Sequence, residues 1–220
     1  MAEDTVDASL IEWEDGVDLV LGIDVDRTPA QIWPHLTDPR LVDVWFVGYQ
    51  TAPEAGSGDQ GASAASDAGE QDAVGAPAGS RLLFTFDDEP VPGEVLSSQP
   101  PSEDPDEAHL LVEIEGIGRL GLTLRAERED PGEGVASANA PAADAAASAT
   151  RISLAHTVAD PDTDPELIAS VVEQVGPVWE THLRLLAEEL AREAGDTETS
   201  FDVPEAELTA RYQRLAEELA

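Results

Sequence analysis

The stretch Pro177–Ala194 constrains the fold more than any other part of the chain. Trp179, Leu183, Leu186 and Leu190 recur at spacings of four, three and four residues, which lays one apolar stripe along a helix. Glu180, Arg184, Glu188, Glu189 and Glu193 fall mostly off that stripe and are expected in water. Pro177 suits a first helical turn and Gly195 suits a C-cap. The residues before it are short β-like runs or low-complexity sequence, so the stripe must be buried by a sheet.

The β-like runs supply one. Val17, Leu19, Leu21, Ile23 and Val25 alternate with Asp18, Val20, Gly22 and Asp24, a strand with one buried face. Leu82, Phe84 and Phe86 give a second, and Asp87–Pro90 turns it into a third over Val91–Ser97. Leu110, Val112 and Ile114, then Leu120, Leu122 and Leu124, flank Gly116-Ile-Gly118 as an antiparallel hairpin. Ile152, Leu154, His156 and Val158 share a face of the last strand. Between the first two strands, Thr28-Pro29 and Asp38-Pro39 each pair an N-cap with a proline at the first helical position, predicting short helices over 29–36 and 39–46. Pro165 opens a helical lead-in to Val175, with a kink or restart at Gly176-Pro177. A stripe of Leu208, Tyr212, Leu215 and Leu219 closes the chain.

Two segments stand apart. Residues 51–80 and 128–149 are Ala/Gly/Ser/Asp-rich inserts that hold too little apolar surface to order themselves. The expected organisation is an acidic segment over 1–16, one α+β domain over 17–194 carrying both inserts, and a link with an amphipathic helix over 195–220. A monomer and a homodimer are both compatible with that last helix.

Charge narrows the function. The chain carries 47 acidic residues against 11 basic ones, all arginine, for a net charge of −36. Such a chain repels nucleic acid and anionic membranes. Its hydrophobic content of 41% argues against wholesale disorder. The expected setting is molar salt, where a Debye length of about 3 Å screens the carboxylates from one another. Cysteine is absent, which excludes disulfides and thiolate chemistry. The acidic N-terminus has no apolar core, so a cytoplasmic protein is expected.

Motifs for catalysis are few. Gly116–Gly121 and Gly56–Gly61 both fit G-x-G-x-x-G, but neither joins a strand to a helix as phosphate cradling requires. Asp160–Asp164 is similar to a calcium loop, yet Pro165 replaces the needed glycine and Val171 the bidentate glutamate. No metal or cofactor is expected. His156 and His182 fall on or beside buried faces and could reach one cavity, as acid–base groups or as holders of a polar ligand head. Ordinary hydrogen-bonded core histidines explain the same pattern. His35 and His109 look peripheral. The aromatics Trp33, Trp45, Phe46, Phe84, Phe86 and Trp179 fit either a core or a pocket lining.

The order of strand, two short helices, antiparallel strands and long helix resembles the helix-grip (START-like, SRPBCC) superfamily. More narrowly, Pro29-Ala-Gln-Ile-Trp33, Leu36-Thr-Asp-Pro39 and Trp45-Phe46 resemble motifs of the heat-shock protein 90 ATPase activator homologue-like family. Gly176-Pro-Val-Trp179 stands where that family has Gly-Trp, with two residues inserted, and Gly79-Ser-Arg81 replaces a Gly-Gly. The resemblance implies a curved antiparallel sheet of about six strands wrapped around the long helix, with a cavity between them. Trp33, Trp45, Phe84, Phe86, His156, Trp179, His182, Leu183 and Leu186 are its expected lining. It implies a binding protein for a small apolar or amphipathic molecule. A chaperone-associated role is a second implication, and a cyclase- or lyase-type enzyme using His156 or His182 a third.

Overall fold

A computed structural model describes residues 6–14, 16–52, 77–127, 149–160, 162–196 and 203–218. Most of both inserts, the Gly56–Gly61 motif, Asp202 and Leu219 therefore lie outside the described residues. The architecture is α+β: one antiparallel sheet whose inner face packs on a long C-terminal helix.

The sheet has eight strands, not about six, in the order β1-β2-β8-β7-β6-β5-β4-β3. They are β1 (Asp7–Trp13), β2 (Gly16–Val25), β3 (Tyr49–Thr51), β4 (Arg81–Phe86), β5 (Glu89–Gln99), β6 (Glu107–Ile114), β7 (Gly118–Glu127) and β8 (Ala149–Ala159). The two added strands are the two edges. β1 lies in the acidic N-terminal segment and folds back on β2, pairing Trp13 with Gly16 and Asp7 with Gly22. Only its Ala8 and Leu10 are partly covered, while Ile11 and Trp13 stay exposed, so its alternation is faint. Arg151 of β8 fastens it from outside, reaching Asp24 at 3.1 Å and Asp7 at 2.6 Å across Gly22, where a Cβ would strike the guanidinium. In the β4–β5 hairpin, Asp87 and Asp88 both adopt positive φ (48° and 67°), the mirror-image turn that matches strand twist.

Helices α1 (Pro29–Thr37) and α2 (Pro39–Trp45) follow β2 as expected. The Asp38 carboxylate caps α2 by accepting from the Arg40 N–H at 3.0 Å, and the Arg40 guanidinium beside it holds its pKa below the ordinary value. Trp45 donates its indole N–H to the His35 carbonyl at 2.8 Å, and Tyr49 donates its hydroxyl to the Thr37 carbonyl at 2.6 Å. Burial pushes that phenol up to about 12. These bonds lock the two clipped helices against the start of β3.

Helix α3 runs unbroken from Pro165 to Glu193, 29 residues, so the expected restart at Gly176-Pro177 does not occur. Glycine eases this: with no Cβ before the proline ring, one part of the clash that usually ends a helix there is relieved. Gly176 has a second role. A Cβ there would lie 2.1 Å from the Tyr212 ring of α4 (Glu205–Glu217), so the glycine is the contact point of the two helices.

The expectation that Glu180, Arg184 and Glu189 face water does not hold; all three are buried, Glu180 completely. Helix α4 lies over the Glu180 side of α3, while Glu189, on the opposite side of the helix, pairs with Arg192 one turn on. Glu180 accepts from Arg184 at 2.7 and 2.9 Å, from Arg211 at 2.8 Å and from the Tyr212 hydroxyl at 2.9 Å. Arg211 also donates to the Val6 carbonyl at 3.1 Å, which ties α4 to the N-terminal strand. His35 is likewise not peripheral. It is 2% exposed and meets Glu193 at 3.1 Å, while Arg27 donates to the Leu190 carbonyl at 3.0 Å, so two side chains anchor the C-terminal turn of α3.

Candidate functional site

Two neighbouring spaces lie between sheet and helix. The deeper is a void of about 50 Å³, walled by Trp45, Phe84, Leu110, Leu122 and Trp179 among other apolar side chains. The outer is a cleft of about 390 Å³ bounded by α3, the end of β8 and the β6–β7 hairpin loop. Phe46 and Trp179 line both spaces and form the partition between them.

Phe46 is the centre of the aromatic wall. Its ring lies 5.5 Å from Trp179, 5.7 Å from Trp45, 6.1 Å from Phe86 and 6.3 Å from Phe84, centroid to centroid. His182 stands edge-on to it at 5.3 Å. Tilted and edge-to-face contacts of this kind suit the ring quadrupoles. They bring α2, β4 and α3 together at one point.

The two histidines differ in what they have left to offer. At His156 the Trp179 indole N–H, which can only donate, reaches Nδ1 at 2.9 Å. Nδ1 therefore carries a lone pair, and in the neutral ring the proton sits on Nε2, donated to the Ile117 carbonyl at 2.9 Å. Both nitrogens are committed. Burial pushes the pKa of His156 down, against weaker opposing effects of the Ile117 carbonyl and the Asp18 carboxylate. At His182 the Trp45 carbonyl, which can only accept, lies 2.7 Å from Nδ1, so Nδ1 carries the proton. Its pKa is also pushed down by burial, so the ring is neutral at neutral pH and Nε2 bears a lone pair.

Of the residues expected to line the cavity, Trp45 and Phe84 face the void, Phe86, His156 and His182 face the cleft, and Trp179 faces both. Trp33, Leu183 and Leu186 line neither; they are buried in the core, the two leucines with no exposed surface. The stripe places Leu183 and Leu186 under the sheet, beyond the reach of the open end. Sequence reasoning missed Val171, Val175 and Val178 on the cleft side of α3, and Ile117 at the hairpin tip. The valines recur at spacings of four and three, a signal that becomes legible once the helix is carried through Gly176-Pro177. Ile117 sits in a stretch that reads as a plain turn.

No family model matches the chain, and no curated protein matches it. Solved structures do. The crystal structure of CalU16 from Micromonospora echinospora is 16% identical with a TM-score of 0.50, covering 98% of this chain and 96% of its own. The solution structure of CalU16 is 14% identical with a TM-score of 0.54, covering 98% and 97%. A conserved protein of unknown function, EF2215 from Enterococcus faecalis, is 13% identical with a TM-score of 0.56, covering 97% and 92%. At these identities the likeness shows the fold alone, a curved antiparallel sheet gripping a long C-terminal helix. Among the described residues, no helix is long and apolar enough to cross a membrane.

Proposed function

We propose that the protein binds a small apolar or amphipathic molecule in the cleft beside α3 and acts without covalent chemistry. The observation that carries this reading is the cleft itself: about 390 Å³ of space walled by Phe46, Phe86, Ile117, Val175 and Trp179. That volume falls in the range of sites that enclose small organic ligands, roughly 300–1,000 Å³. The inner void, at about 50 Å³, is too small for such a ligand by itself. It is space into which Phe46 or Trp179 can shift when the cleft fills.

The committed nitrogens of His156 favour binding over acid–base catalysis at that residue. A histidine that already donates to Ile117 and accepts from Trp179 has no proton or lone pair to exchange with a substrate without breaking the partition.

The test is direct. Native mass spectrometry from molar ammonium acetate, with calorimetric titration of naphthalene-sized neutral probes in molar potassium chloride, is expected to give a saturable one-to-one complex. Absence of any saturable complex, with no molecule carried through purification, overturns the reading.

A further inference from the structure

The polar groups of the cleft go further than its volume. We infer that its ligand is a neutral molecule with an apolar body and one hydroxyl or N–H donor, and that this donor rests on Nε2 of His182. This rests on the binding reading above and narrows it.

Three observations converge. First, His182 lines the cleft with one nitrogen tied away: Nδ1 donates to the Trp45 carbonyl at 2.7 Å, and Nε2 has no hydrogen-bond partner among the described residues. The ring is held in place between Phe46 at 5.3 Å and Trp179 at 5.9 Å, so the lone pair points in a fixed direction. Second, the other side-chain nitrogens of the cleft are already engaged, which leaves the Thr157 hydroxyl and the Gln174 amide oxygen as its remaining open polar side-chain atoms. His156 has both nitrogens bonded, and the Gln174 amide donates to the Ser170 carbonyl at 3.0 Å and hydroxyl at 3.1 Å. Third, no arginine, aspartate or glutamate is among the residues lining the cleft. An anionic ligand head would meet no counter-charge there and would approach a chain of net charge −36. A cationic head would be desolvated without a partner. A neutral donor pairs with the His182 lone pair, whereas an acceptor-only ligand would leave that lone pair buried and unpaired even if it met the Thr157 hydroxyl.

The experiment compares 2-naphthol, 2-methoxynaphthalene and 2-naphthoate at pH 7.5 in molar potassium chloride. The first two share an aromatic body, but only the naphthol donates. 2-Naphthol is expected to bind about three- to tenfold more tightly than 2-methoxynaphthalene, the worth of one neutral hydrogen bond, and 2-naphthoate no more tightly than the ether. The substitution H182N separates anchor from fold. The asparagine amide N–H can replace Nδ1–H toward the Trp45 carbonyl but cannot reach the position of Nε2. In H182N the naphthol-to-ether ratio is expected to fall to about one.

Equal affinities in the unsubstituted protein, or tightest binding of the naphthoate, overturn the inference while leaving the binding reading intact. A ratio that survives in H182N overturns the assignment to His182. Failure of all three probes removes both the inference and the reading beneath it. The wild-type ratio needs no variant, so a poorly folded H182N does not spare the proposal.

Discussion

The two long sides of α3 obey opposite rules. On the side under α4, a single added carbon at Gly176 would collide with Tyr212, and the buried carboxylate of Glu180 holds four side-chain hydrogen bonds from Arg184, Arg211 and Tyr212. At that contact the packing is tight and the buried carboxylate is fully engaged. On the side toward β8, Val171, Val175 and Val178 border about 390 Å³ of space, and one imidazole nitrogen has no partner among the described residues. Close packing is the default for a protein interior, and leaving it unmet on one side of one helix forgoes stability that filling would supply. The difference teaches that the open side is a local feature of the fold rather than a general looseness of the chain.

Removing the best-answered charge should break the comparison most severely. Glu180→Ala removes the buried carboxylate that Arg184, Arg211 and Tyr212 share, and the loss of one partner of a buried pair costs about 3–5 kcal/mol. Denaturant unfolding in molar potassium chloride checks it, and a loss below about 1 kcal/mol would show that α4 does not seal that side. Next in size is Gly176→Ala. Its methyl has to displace the Tyr212 ring, and overpacking of this kind costs about 1–3 kcal/mol.

The adjacent residue sharpens the contrast. Val175→Phe adds far more volume than Gly176→Ala but directs it into the cleft, so its stability change is expected to stay within about 1 kcal/mol while probe binding weakens at least tenfold. If Val175→Phe destabilises as much as Gly176→Ala, the cleft is not open space in solution.

The smallest effect is that of pH. Burial depresses the pKa of both His156 and His182 below the ordinary value of about 6.5. In the window below 6.5 and above the depressed values, the unfolded chain binds protons that the folded chain refuses. Stability is therefore full above about pH 6.5 and falls as the pH drops through it. The drop between pH 7.5 and 5.5 should be smaller in H182N than in the unsubstituted protein, and equal drops would refute the contribution of His182.

Much of the fold was legible because period-two and helical patterns are strong wherever one face is buried. Val17–Val25, Leu120–Leu124 and Ile152–Val158 each declare their inner face, and Trp179–Leu190 declares the helix they enclose. The edges were not legible. β1 turns only Ala8 and Leu10 toward cover, and β3 is three residues long, too short for a period to register. Glu180 was hidden for a different reason: an amphipathic pattern counts any carboxylate as solvent-facing, and only the arrival of Arg211 and Tyr212 from α4 makes its burial affordable. The site was half legible. Aromatic residues and histidines are conspicuous in sequence, so Trp45, Phe84, Phe86, His156, Trp179 and His182 could be nominated as lining, six of the eight such residues around the two spaces. Which of them line the space depends on how far the helix extends, and that turned on Gly176-Pro177. The distinction between the two histidines depends wholly on partners distant in sequence, Ile117 for one and Trp45 for the other.

The bond from Trp179 to His156 has an optical consequence. This indole is one of four in the chain, it stands in the wall between void and cleft, and its N–H is fixed on an imidazole. Its excited state is sensitive to whatever lies against the ring and to whether that imidazole gains a proton. A guest in the cleft would alter the first, acid would alter the second, and the two would perturb the emission spectrum independently. The protein thus carries its own occupancy gauge, readable in dilute solution without a label.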